Sequence, residues 1–301
     1  MIVRRRHHWL RMLFVWNGSV LRQILPRLVV VILISFLAVA GHLWLHSQRF
    51  TLNPTPFSLL GITLAIFLGF RNSTSYERYA EGRQLWGQLI IAARSLLRQA
   101  ATLTIPPLTS TEQARLATRL VELATELKDQ LRRSDRARDA TLPKVAPSAR
   151  PSSSRHVLAV AEDLAALRRE GRLEPLLVPA MEANLDRIAA VIGGCERIAG
   201  TPIPYTYSVM LHRTVYIYCM LLPFGLVGGL ELLTPLITAF IAYTFMALEA
   251  TASELEDPFG LDANDLPLDA LTRTLERSLL DMAGVEELPP ELEPDANYIL
   301  T

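Results

Sequence analysis

The segment GITLAIFLGF, residues 61–70, is as apolar as a membrane helix, yet the polar segment RNSTSYERYAEGR, residues 71–83, follows it at once. Counted from Phe57, only the residues as far as Phe70 are compatible with lipid. A bilayer core of about 30 Å needs about 20 apolar residues in a helix. Either the segment does not cross a membrane, or the polar residues after it lie at membrane depth where lipid does not reach them.

The composition and the charge distribution indicate a membrane protein. Half of the 301 residues are hydrophobic, and the net charge is zero. No acidic residue precedes Glu77, whereas fourteen acidic residues follow from Glu249 onward against only Arg273 and Arg277. A basic start and an acidic end argue against a nucleic-acid-binding protein, and they fit a membrane protein whose two ends are cytoplasmic.

Four segments are predicted to be transmembrane helices. Only the first could be a signal peptide, because AVA before Gly41 resembles a cleavage site, but the preceding segment is too long and too apolar for one. The third is interrupted by His212 and Arg213, which we expect to face protein or water. The four segments are 28–45, 57–70, 205–230 and 232–252.

The distribution of arginine predicts the topology. The link between the second and third spans is long and rich in arginine, so this link and both termini are expected in the cytoplasm. The resulting organisation is an amphipathic N-terminal segment, 1–27; transmembrane helices 1 and 2, 28–70; a helical cytoplasmic domain, 71–204; transmembrane helices 3 and 4, 205–252; and an acidic C-terminal segment, 253–301.

The cytoplasmic region is predicted to be entirely helical. A helix over 76–103 continues from the second span, and a capping box STEQ at Ser110 begins another that ends near Arg133. A polar loop over 134–154 precedes two helices near 155–170 and 173–199. An amphipathic helix to Gly284 is followed by a mobile, proline-rich tail.

One face of the second predicted span carries residues of changing character. At 100° per residue, the face holds three apolar side chains, then a serine, two carboxylates and an amide. A neighbouring face carries a row of small residues that lets membrane helices approach closely. The residues of the first face are Ile62, Ile66, Phe70, Ser73, Glu77, Glu81 and Gln84. The row of small residues is Gly61, Ala65 and Gly69.

Two interpretations of this face remain open from the pattern alone. The apolar residues can contact lipid or a neighbouring helix. Alternatively, copies of the helix surround an axis, so that Ile62, Ile66 and Phe70 form a narrow neck and the serine and glutamates line a wet vestibule. The second interpretation explains why the polar residues begin so early.

Four motifs resemble the bacterial bestrophins over most of the chain. They are WNGSV (16–20), PFSLLGITLAIFLGFRNSTSYERYAEGRQLWG (56–87), GGCERIAGTPIPYTYSVMLHRTVYIYCMLLPFGLVG (193–228) and LEDPFGLDANDLPL (255–268). The resemblance implies an all-α integral membrane protein that assembles as a homopentamer around one central pore. It implies that Ile62, Ile66 and Phe70 form the neck. A second, cytoplasmic constriction falls at Leu176, with Leu177 as the adjacent alternative.

The chain departs from the family pattern in two places. Tyr79–Ala80 stands where many relatives carry paired aromatic residues. Eukaryotic members bind calcium at an acidic cluster after the last membrane helix, but Pro258 and Gly260 interrupt the cluster here. We therefore expect no high-affinity calcium site, and no metal or cofactor is predicted. The acidic residues of the cluster are Glu254, Glu256, Asp257, Asp262 and Asp265.

The residues after the neck favour passive conduction of monovalent cations, Na⁺ or K⁺. Rings of Asp or Glu favour cations, and Glu77 and Glu81 would form such rings. Three arginines of this helix fall off the face and are expected to contact lipid headgroups or adjacent helices: Arg71, Arg78 and Arg83. An anion channel like the eukaryotic bestrophins is the first alternative, and a non-channel transporter or membrane scaffold is the second.

Other signals are weaker. His42 and His46 have the spacing of a metal pair but fit membrane-edge anchors beside Trp44. Cys195 and Cys219 lack metal spacing and are expected to be reduced packing residues. No nucleophile elbow, phosphate loop or zinc signature occurs, so the sequence does not predict an enzyme. The expected location is the bacterial inner membrane.

Overall fold

The computed structural model describes residues 1–3, 10, 15–16, 18–44, 53–138 and 152–301, with the backbone alone over 135–138. Residues 4–9, 11–14 and 17 of the predicted N-terminal segment lie outside the described residues. His46 of the predicted histidine pair and most of the predicted 134–154 loop also lie outside them. The helices are α1 (Leu21–Trp44), α2 (Thr55–Leu103), α3 (Ser110–Arg138), α4 (Ser153–Arg169), α5 (Val178–Gly200), α6 (Tyr205–Leu230), α7 (Thr234–Glu256) and α8 (Leu268–Met282).

The chain divides into two compact units. We call Arg5–Glu77 with Pro202–Glu256 the small unit, and Met1–Arg4, Arg78–Thr201 and Asp257–Thr301 the large unit. Helix α2 passes from one to the other without interruption, as the periodicity predicts. Within the described residues, β pairing is limited to isolated bridges, Ile2 with Ile299 and Thr104 with Leu173.

The small unit contains the apolar helices. Among the described residues, three helical stretches are long and apolar enough to cross a membrane: Leu21–Trp44, Thr55–Leu103 and Tyr205–Glu256. The third stretch consists of α6 and α7, which a 3₁₀ turn at Glu231–Leu233 separates. These two helices are antiparallel, since Tyr218 packs edge-on against Phe245 and His212 bonds Glu249. Their buried apolar side chains form one cluster with those of α1 and α2.

The large unit has its own core around the second half of α2. Trp86, Leu89 and Leu96 are fully buried there, together with apolar residues of α3, α4, α5 and α8. Lys128 and Arg132 of α3 each lie 2.8 Å from a carboxylate oxygen of Asp269 in α8. These ion pairs hold α8 against α3.

Three boundary predictions are wrong by small amounts. The capping box begins at Thr109, because the Thr109 hydroxyl accepts the Glu112 N–H and the Glu112 carboxylate accepts the Thr109 N–H at 2.8 Å. Helix α3 continues to Arg138. The helix predicted over 173–199 begins only at Val178, because Pro175–Leu177 form a separate 3₁₀ turn. Proline lacks the N–H that a continuous helix would need there.

The C-terminal tail is paired with the first residues of the chain, which its composition does not indicate. Leu300 N–H donates to the Met1 carbonyl at 2.9 Å, and the Met1 amino group donates to the Leu300 carbonyl at 2.6 Å. Arg277 of α8 donates to the carbonyl of Pro289. Backbone pairing with the first residues therefore compensates for the low hydrophobicity from which mobility was predicted.

Candidate pore-lining face

The three apolar residues of the predicted neck share an uncovered face of α2. Ile62, Ile66 and Phe70 are 62%, 55% and 64% exposed, whereas Leu64 and Leu68 on the other side of the same turns are buried. The chain thus covers one side of this helix and leaves the side with the neck residues open. Exposed apolar side chains of this size, aligned along one helix, mark a surface that meets lipid, another subunit or a pore.

The two carboxylates that continue this face differ in whether another residue compensates their charge. Ser73, Glu77 and Gln84 are exposed. Glu77 forms no ion pair with any described residue. Glu81 differs, because Arg197 of α5 donates to its carboxylate at 2.5 Å. Sequence reasoning weighed only the arginines of α2 and missed this one, which lies 116 residues away.

Arg71 is buried in the small unit, directly after the neck residue Phe70. Its guanidinium lies 3.4 Å from Glu249 and 3.5 Å from Glu256, both on α7. Asn72 donates to the Leu248 carbonyl at 3.1 Å. Of the two expected surroundings, lipid headgroups or an adjacent helix, the structure selects the adjacent helix.

The two carboxylates beside Arg71 have further partners. His212 Nδ1 lies 3.1 Å from Glu249, and the Ile203 N–H donates to Glu256 at 3.1 Å. His212 is therefore paired with protein, as expected for a polar residue in an apolar helix. The arginine and two glutamates tie α2 to α7 immediately after Phe70.

Arg78 likewise contacts protein, which is the second of the two surroundings expected for it. In the large unit it donates to the carbonyls of Ile198 and Thr201, both at 2.7 Å. The last carbonyls of a helix have no partner within the helix, so a basic side chain is favourable there. Arg78 thereby fixes the end of α5, the same turn that carries Arg197.

The predicted cytoplasmic constriction, Leu176, is 83% exposed and lies in the 3₁₀ turn. Its neighbour Leu177 packs against the core of the large unit. The preceding backbone is paired, since the Ile105 N–H donates to the Arg172 carbonyl at 2.8 Å. Of the two residues considered for the constriction, Leu176 is the one whose side chain is available.

An ion pair holds the chain just before this turn. Arg172 donates to both carboxylate oxygens of Glu112, at 2.6 and 3.0 Å. The Arg172 hydrogen bond, and then that from the Thr109 N–H, lower the pKa of Glu112 from 4.5 to about 2. The residue that caps α3 is thus also the anchor of the Leu176 segment.

The residues of the small row differ in whether they contact another helix of the same chain. A Cβ added to Gly61 would lie 2.6 Å from the Tyr218 hydroxyl, so this glycine permits close contact with α6. Gly69 has no described neighbour within 4 Å of such an atom, and Ala65 is exposed. Only the first member of the row therefore packs against its own chain among the described residues.

The acidic cluster, which begins in the last turn of α7, is engaged by the protein. Glu256 accepts the Ile203 N–H and forms an ion pair with Arg71, and the Asp265 carboxylate accepts the Asp262 N–H at 2.8 Å. Glu254 and Asp257 also have interaction partners. No group of three or more His, Cys, Asp or Glu residues within the described part of the chain is arranged to hold a metal ion.

Comparison with known proteins identifies the family. The profile of the Bacterial/Fungal Bestrophin protein family matches residues 1–281. The chain is 45% identical to voltage-dependent anion channel-forming protein YneE of Escherichia coli K12 over 100% of both chains. It is 40% identical to a similarly named protein of Mesorhizobium japonicum, mll4386, over 99% of this chain and 96% of that protein.

Solved structures give the same result. The crystal structure of a bacterial bestrophin homologue from Klebsiella pneumoniae matches with a TM-score of 0.79 and 43% identity, covering 88% of this chain and 100% of that chain. The uncovered apolar face, the apolar helices of the small unit and these similarities lead to one conclusion. The chain belongs to the bacterial and fungal bestrophin family of membrane proteins.

Proposed function

We propose that this chain is the subunit of a homopentameric ion channel that conducts monovalent cations passively. The observation that carries the proposal is the uncovered face of α2, on which Ile62, Ile66 and Phe70 precede Glu77, a carboxylate with no ion-pair partner among the described residues. Arranged around an axis, the apolar residues make a constriction that can gate by dewetting, and Glu77 makes a ring that attracts cations.

The proposed topology has four spans, formed by α1, the first part of α2, α6 and α7. Both termini and the helices α3 to α5 lie in the cytoplasm of a bacterium, beneath its inner membrane. Two features support this arrangement: the antiparallel pairing of α6 with α7, and the arginine-rich composition of residues 71–204. Leu176 forms the second, cytoplasmic constriction.

The proposal assigns no stable metal or cofactor to the protein, whose only other ligands are the permeant ions and the lipid bilayer. Glu256 already neutralises Arg71, and Asp265 already accepts a backbone N–H, so their carboxylates are occupied. A calcium clasp would have to break these contacts.

An anion channel is the second candidate, and two observations favour it. The curated relatives are named anion channel-forming proteins. In addition, Arg197 compensates the charge of Glu81, so that within the described part of the chain Glu77 is the carboxylate of this face without an ion pair.

Purified protein in planar bilayers tests the proposal. In a salt gradient, we expect discrete unitary currents whose reversal potential follows the cation, with a weaker cation preference in Glu77→Gln. Reversal at the chloride potential would establish the second candidate. Saturable flux without unitary events would indicate a transporter, and electrical silence a scaffold.

The neck is tested separately by Ile66→Ala, and by replacement of all three neck residues with alanine. Smaller side chains widen and wet the constriction, so ion flux into vesicles should rise. Leu64→Ala, at a buried position on the opposite side of the helix, is the matched control and should not widen it. Unchanged flux in the Ile66 variant would move the constriction to Leu176, and native mass spectrometry would establish the number of subunits.

A further inference from the structure

Arg197 and Glu81 form a charge pair on the surface of the large unit. Arg197 Nη2 lies 2.5 Å from Glu81 Oε1, and the side chains are 59% and 40% exposed. An ion pair that remains this open to water contributes little to the stability of a fold. Its role is therefore to be sought in the electric field that it produces along α2.

The position of Arg197 is fixed from two sides. The residue lies in the last turn of α5, where a positive charge interacts favourably with the helix dipole. The Thr201 N–H donates to the Arg197 carbonyl at 2.9 Å, and the Thr201 hydroxyl donates to the same carbonyl at 2.6 Å. Arg78 caps this turn as well. The backbone that carries the Arg197 guanidinium is therefore held at a capped helix end.

The position of Glu81 connects the pair to permeation. Glu81 follows Glu77 by one helical turn, and residues four apart lie on the same side of a helix. Glu77 is exposed and forms no ion pair with the described residues, whereas Glu81 is neutralised. One turn of α2 thus carries an open carboxylate beside a compensated one.

We propose that Arg197 is a specificity-determining residue, which sets the ion preference of the pathway by neutralising Glu81. The inference rests on the proposed function, because it requires that this face of α2 line an ion pathway. Each subunit then contributes one net negative charge from Glu77 and none from the Glu81–Arg197 pair. Removal of either partner releases the charge of the other.

The two single substitutions therefore have opposite consequences. Arg197→Gln leaves Glu81 bare, so the ratio of cation to anion permeability should rise. Glu81→Gln leaves Arg197 bare, so the same ratio should fall, and the double variant should return close to the original ratio. Because charged, narrow passages change local ion concentrations by tenfold or more, each single shift is expected to be on the order of tenfold.

Reversal potentials in a potassium chloride gradient measure the ratio for the original protein and the three variants. Size-exclusion profiles and unfolding midpoints are compared first, and they should be alike because the pair is exposed. A purely structural pair would move both single variants in the same direction or in neither, and that result overturns the inference while leaving the channel intact. Absence of current from all four proteins overturns the proposed function, and the inference with it.

Discussion

The two halves of α2 differ in how the chain treats their apolar residues. In the second half, Trp86, Leu89 and Leu96 are enclosed by other helices of the large unit. In the first half, Ile62 and Ile66 remain more than half exposed although they are equally apolar. One subunit thus completes the core of its large unit by itself. The uncovered face of the first half meets what surrounds the chain there, which is lipid, another subunit or a pore.

The largest loss of stability is expected on replacement of Arg71, which lies on α2 between Ile66 and Trp86 and forms ion pairs with α7. Arg71→Ala removes the buried guanidinium that lies beside Glu249 and Glu256, which should lower the free energy of unfolding by about 3–5 kcal/mol. The matched control is Arg83→Ala, because Arg83 is an exposed arginine of the same helix; its effect should stay within about 0.5 kcal/mol. Unfolding in detergent, followed by circular dichroism, measures both. Equal losses would show that the ion pairs with α7 do not hold α2.

The next prediction compares the stability cost of one substitution in each half of α2. Leu96→Ala creates a cavity in the large unit and should cost about 2–5 kcal/mol of stability. Ile66→Ala removes a side chain that its own chain does not cover, so it should cost much less while raising ion flux. The same unfolding assay on the assembled protein measures the two losses of stability. If Ile66→Ala were as destabilising as Leu96→Ala, the face would be packed against protein and would not line a pore.

The smallest effect concerns the anchor of the Leu176 segment. The pKa of Glu112 is lowered from 4.5 to about 2 by Arg172 and the Thr109 N–H. A carboxyl group with a lowered pKa in the folded state stabilises that state above pH 4.5, and the contribution is lost as the pH falls toward 2. Glu112→Gln should therefore lower the unfolding midpoint at pH 7, and the difference from the original protein should shrink over that range.

Glu122→Gln is the control for this titration, because Glu122 is an exposed carboxylate of the same helix. It should leave the midpoint unchanged at either pH. A difference for Glu112→Gln that persists at pH 2 would mean that the glutamine disturbs the cap of α3 rather than the ion pair with Arg172.

Much of the fold was predictable because helical periodicity is a local property. The continuity of α2 through residue 103 followed from the spacing of Leu85, Leu89 and Leu96. The capping box was misplaced by one residue because TSTEQ offers two overlapping starts, at Thr109 and Ser110. The start of α5 was misplaced because two prolines, Pro175 and Pro179, both permit a helix to begin, and periodicity alone does not choose between them.

The candidate site was predictable only in part. A helical wheel can tell which residues share a face, so it grouped Glu77 with Glu81. It contains no information on residues from other helices, and it therefore treated the two carboxylates as equivalent. The pair of Glu81 with Arg197 joins residues far apart in the chain, and no local pattern indicates it.

The sequence by itself determined the apolar helices, the early polar end of the second span and the family, because these depend on residue type and spacing along one chain. The tertiary structure alone decided which charges are free. It buried Arg71 between two glutamates of α7, placed Arg197 on Glu81, and left Glu77 open. The physical reason is that the field at a site depends on distances through space, and folding brings together charges that the sequence keeps apart.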